Sequence, residues 1–197
     1  MASCIFPEGI WEHSESGSAM FPNVRDYLVQ LSHKHGPLIV VQTLVALGNT
    51  IANSFALVYL VRQGHGYIDC ALYIFTIVIV SLVLMSFSSR PIVSKFPRSI
   101  ETGMIVLVLY YLGLMFLDGW YLVFVPPIMF GIYIVTFWVP YNALIMHISS
   151  SKARGATVGA YFLIWPLVTT IGPLFGGLII DLLSYRMLFL AAALVIS

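Results

Sequence analysis

The stretch Arg154–Asp181 reads RGATVGAYFLIWPLVTTIGPLFGGLIID and decides the fold. Between its basic start and its acidic end there is no charged side chain. As a helix, Thr157–Ile180 would rise about 36 Å at ~1.5 Å per residue, enough to cross a ~30 Å hydrocarbon layer. Backbone groups in lipid must bond within their own segment, which a helix achieves. The strict alternation of a barrel strand is absent. Gly172 and Gly176 stand four apart, the spacing at which small residues let two helices approach closely. Pro173 removes one backbone bond and bends the span. The pattern therefore reads as a bent helix with a flat face against a neighbour, or more blandly as small-residue packing.

The rest of the chain follows the same grammar. Of 197 residues, 60% are hydrophobic and 9% charged, against roughly 25% charged in a soluble domain. Polar groups could not cover so much apolar surface in water, so the main solvent is a lipid bilayer. Six segments emerge: Leu38–Leu60, Ile68–Ser88, Thr102–Leu117, Tyr121–Met146, Thr157–Ile180 and Tyr185–Ser197. None carries an acid or a lysine in its interior; Asp69 and Arg186 stand at segment starts. The third is short and is expected to extend into its flanks. Trp120 and Tyr121 would anchor the fourth at an interface. The expected fold is all-α: a tail over residues 1–36, then a six-helix transmembrane bundle over 37–197 with its last helix incomplete. The sixth segment would give only about 20 Å of helix, so the chain is expected to be truncated. Residues 1–24 read as a mobile tail without a cleavable signal, and Met1 or Met20 could be the start.

Basic residues set orientation. Arg25 and Lys34, then Arg90, Lys95 and Arg98, then Lys152 and Arg154 fall on one side; Arg62 and Arg186 fall on the other. Positive ends stay inside, so a multi-pass protein of the cell membrane with a cytoplasmic N-terminus is expected. Net charge is only +1, which suggests no nucleic-acid partner. Cys4 and Cys70 make no framework. His33 and His35 diverge on a helix and make no metal site, and no cofactor is expected.

Further residues carry a resemblance. Gly172-Pro173-Leu174-Phe175-Gly176-Gly177 forms GPxxGG, preceded by Gly159 and by the basic Lys152–Arg154 loop. Pro140-Tyr141-Asn142 leads into Arg154-Gly155. In this the chain resembles the major facilitator superfamily, and GPxxGG with Gly159 resembles the fifth helix of its proton-coupled drug antiporters. Val168 replaces the middle glycine of that pattern. The second cytoplasmic loop is similar to the superfamily's GxxxDRxGRR: Lys95 and Arg98 fit basic positions, while Arg90 stands for Gly and Ser94 for Asp. The resemblance implies a cytoplasmic latch there, which loss of the Asp puts in question; the alternative is a loop that only sets topology. It also implies the first six of twelve helices, with the C-terminal half or a second six-helix bundle as partner and a solute held near the midplane.

Candidate cavity residues come from polar side chains in apolar spans. Asn49 and Asn53 lie about −20° and +20° from Gln42 around the first helix, so three amides share one face. They line a substrate path or bond neighbouring helices. Tyr161, Trp165 and Thr169 fall within roughly 80° of one another on the fifth; they could stack on and bond a solute, or pack beside Pro166. Pro126, Pro127 and Pro140 break the fourth span and free carbonyls. With no carboxylate inside a span, proton coupling finds no support here. No nucleophile, base or metal pattern of an enzyme is present. The expected function is transport of a small solute by alternating access, as half of a secondary transporter. The competing readings are a non-transporting six-helix subunit or an inactive fragment, with an intramembrane enzyme behind them.

Overall fold

The computed structural model describes residues 40–94, 96–148 and 154–197, without the side chains of 88–97, 147–158 and 160–164. The tail over 1–36 and the basic residues Arg25, Lys34, Lys95 and Lys152 lie outside the described residues. Everything described is helix or short turn, with no strand among the described residues. The helices are α1 (Val40–Arg62), α2 (Tyr67–Ser94), α3 (Phe96–Phe116), α4 (Trp120–Tyr133, a π-helical turn Ile134–Trp138, then Val139–Ile148), α5 (Arg154–Leu182) and α6 (Tyr185–Ile196). The first five are long and apolar enough to cross a membrane, and α6 is a shorter apolar helix.

Local chemistry fixes the ends. After α1, Gly64 takes φ 90°, a left-handed conformation that costs glycine nothing. Its N–H bonds to Val61 O at 3.1 Å, and the N–H of His65 bonds to Leu60 O at 3.2 Å. This paired closure satisfies carbonyls that a helix end leaves orphaned. Asp69, in the first turn of α2, accepts the Gly66 N–H at 3.0 Å, which also places its charge where the helix dipole favours it. Ser184 caps α6 by accepting the Met187 N–H.

The third helix extends beyond its apolar run, back to Phe96, because a helix can run past the hydrocarbon into water, where Arg98 and Glu101 cost little. For the same reason, the stretch expected as a cytoplasmic loop is helical through Ser94 and again from Phe96. Arg90 and Ser94 thus stand on the end of α2 and Arg98 on the start of α3, not on an extended loop.

The helices pack in a repeating scheme. α4 lies between α2 and α3, and α3 also packs along α6. α1 in turn meets α5 through Gly172 and Gly176, and α6 through Gly48 and Tyr59. Thus α1 has the fifth and sixth helices as neighbours where α4 has the second and third, as two three-helix repeats within one half would require. The core holds Tyr110, Tyr111, Tyr133, Tyr141, Phe137 and Phe189, all buried. Rings stack along α4 from Tyr133 to Phe137 to Tyr141, with centroids 5.4 and 5.3 Å apart. By contrast α2 and α5 leave broad apolar faces uncovered, including Phe75, Leu82 and Phe87 on one and Leu167, Leu174 and Leu178 on the other.

Candidate solute-facing site

Asn49 and Asn53 sit near the middle of α1 and Gln42 in its first turn, all on the side that faces the bundle. Exposed residues Val40, Leu44, Ser54, Val58 and Val61 line its other side. Gln42 and Asn49 are buried, and Asn53 is half-buried. Each meets a tyrosine hydroxyl from another helix. Tyr141 of α4 donates to Gln42 Oε1 at 2.7 Å. Tyr111 of α3 is 3.2 Å from Asn49 Oδ1 and 3.4 Å from Gly48 O. Tyr110 of α3 donates to Asn53 Oδ1 at 2.8 Å, and its hydroxyl is 3.0 Å from that of Tyr73 on α2. The three amides therefore hold α1 to α3 and α4 through a buried polar seam. An amide left bare in this medium would cost several kcal/mol on an alkane scale, roughly 4–8.

Sequence reading missed Tyr73, Tyr110 and Tyr111. The available signal was their depth: tyrosine favours the membrane interface, so a pair in mid-span needs a polar partner.

Of the second candidate group, the structure describes the side chains of Trp165 and Thr169. Trp165 packs edge-on against Trp138 of α4, centroids 5.4 Å apart. Thr169 donates its hydroxyl back to Pro166 O at 3.0 Å, as does Thr170 at 2.8 Å. The side chain of Tyr161 lies outside the described residues. The polar seam and this α4–α5 aromatic contact are separate features.

The glycines divide cleanly. A Cβ on Gly172 would collide with the Thr50 side chain, and one on Gly176 would come within 2.5 Å of Ile51 O and of the Phe55 ring. These two make the close α1–α5 crossing. Thr50 Oγ1 also reaches Val168 O at 3.3 Å there. Among the described residues, Gly159 and Gly177 have nothing within 4 Å of a Cβ, and Pro173 is half-buried. In the cytoplasmic motif Arg98 is exposed; the side chains of Arg90, Ser94 and Lys95 lie outside the described residues.

Both inner helices are interrupted beside this seam. α1 has a turn at residues 54–55, where Phe55 N–H bonds to Ala52 O at 3.1 Å. α4 widens into its π turn just before Pro140, and such turns gather at functional sites. Among the described residues no cluster of three His, Cys, Asp or Glu could hold a metal ion.

Apolar membrane-length helices packed around a buried polar seam define a multi-pass helical membrane protein. The chain matches the family model described as Major Facilitator Superfamily over residues 25–196 and belongs to that superfamily, whose members are transporters. Comparison with curated proteins gives no match, and comparison with solved structures gives none.

Proposed function

We propose that the chain moves a small solute across the cell membrane by alternating access, as one six-helix half that closes against a second six-helix bundle. The observation that carries this reading is the pair of uncovered apolar faces on α2 and α5, alongside a superfamily match that spans the bundle. The α1–α5 contact supports it, because glycine crossings let helices slide without side chains to disengage. The interruptions of α1 and α4 give each inner helix a place to bend. The N-terminus and the even-numbered connections face the cytoplasm in this reading, on the side of Arg90, Arg98 and Arg154, with Arg62 and Arg186 on the opposite side. Gln42, Asn49 and Asn53 on one helix, and Trp165 and Thr169 on another, border the solute path. No catalytic step is assigned.

The test is flux. Purified protein in proteoliposomes, alone and with a co-expressed second six-helix bundle, should take up a labelled solute only when two bundles are present. Cysteines placed at Leu82 and Leu178 should cross-link to that partner. Absence of both flux and cross-linking would sink the reading.

A further inference from the structure

The seam fixes which end of each amide is available. Tyr110 gives its proton to Asn53 Oδ1, so the Tyr73 hydroxyl beside it donates to Tyr110. Tyr111 likewise donates toward Asn49 Oδ1 or Gly48 O. An amide has one acceptor oxygen and two N–H donors. Tyr110 meets the oxygen of Asn53 and Tyr111 lies nearest that of Asn49 at 3.2 Å, so the nitrogens are what remain, and no acceptor for either is found among the described residues. Asn53 is only half-buried. Both asparagines flank Ile51, halfway along Val40–Arg62. The described charges keep away from this depth: Asp69, Glu101 and Asp181 lie near helix ends and Asp118 between α3 and α4, while Arg62, Arg98 and Arg186 lie near helix ends. Among the described residues, a cation at mid-depth would meet no carboxylate and an anion no basic group.

We propose that the solute is uncharged and accepts hydrogen bonds, through carbonyl, ether or hydroxyl oxygens, from the amide nitrogens of Asn49 and Asn53. This rests on the transport reading. Tyr110 and Tyr111 are positioning residues that hold the amides with their donors outward. The site selects by donor polarity: neutral acceptors are matched, and ions pay desolvation without a counter-charge.

Three probes of similar size test this on the purified protein in detergent: acetophenone, benzoate and benzylammonium. Saturating acetophenone should raise Tm by about 3 °C, with no shift from the two ions. Asn53→Leu should abolish the shift. Asn53→Asp keeps the shape but exchanges donor for acceptor, and should transfer the shift to benzylammonium. Tyr110→Phe frees the amide to turn and should flatten the ranking of the probes. The wild-type ranking and the Asn53→Asp exchange decide the matter even if Asn53→Leu fails to fold. A wild-type shift as large with either ion, no shift with any probe, or an acetophenone shift retained in both Asn53 variants would overturn the proposal. Solute flux in proteoliposomes alongside any of those results keeps the transport reading and removes only the donor assignment.

Discussion

The carbonyl of Thr136 accepts the hydroxyl of Ser99 at 3.0 Å. Pro140, four residues on, lacks the N–H that this carbonyl would take in a regular helix. A side chain from α3 thus repairs a bond that a proline in α4 removes. Ser99→Ala should lower unfolding stability by about 0.5–2 kcal/mol. In Pro140→Ala the helix recovers its own donor, so Ser99→Ala should then cost less. Unfolding of the four proteins in mixed micelles measures the coupling; additive effects would show that the two residues act independently.

The α1–α5 crossing predicts a contrast between neighbouring glycines. Gly176→Leu should damage packing, because overfilling a tight contact costs about 1–3 kcal/mol or more and the obstacle here is backbone. Gly177→Leu meets open space and should leave the isolated chain's Tm nearly unchanged. Equal expression and Tm for the two variants would contradict the crossing.

The seam predicts non-additivity between α1 and α3. Tyr111→Phe and Asn49→Leu should each destabilise by about 0.6–2 kcal/mol, and the double variant by less than their sum. Unfolding curves of wild type, both single variants and the double variant supply the cycle. In a restored two-bundle carrier, Asn49→Leu should reduce uptake at unchanged membrane abundance.

Orientation is checked by labelling. With Cys4 and Cys70 replaced, a cysteine at Gln63 should react with an impermeant maleimide from outside the cell. One at Ser151 should react only after permeabilisation. Reaction of both from one side would break the topology.

Much of this architecture was legible in one sequence, for physical reasons that differ by residue. Span positions follow from the cost of placing charge in hydrocarbon, which keeps Asp69, Glu101 and Asp181 near helix ends. The shared phase of Gln42, Asn49 and Asn53 follows from helix geometry. What they face could not be read, because Tyr110, Tyr111 and Tyr141 come from other spans, and helix periodicity says nothing of the register between helices. The extension of the third span was foreseen from its short apolar run, but not how far it goes: hydropathy falls at Arg98 while the α3 backbone continues back to Phe96. The motif glycines were seen, but only three-dimensional packing separates Gly172 and Gly176, which touch α1, from Gly159 and Gly177, which meet nothing among the described residues.

Gly48 of α1 lies directly beneath the side chain of Ile196 on α6, and Tyr59 packs on Phe189. During synthesis these partners emerge about 150 residues apart, roughly 7–30 s at 5–20 residues per second. Over that interval the first helix must wait in the bilayer with one flank bare. Nascent chains halted before the sixth helix should therefore be open to membrane-embedded chaperones and proteases, and protection should arrive abruptly once residues 188–196 have inserted.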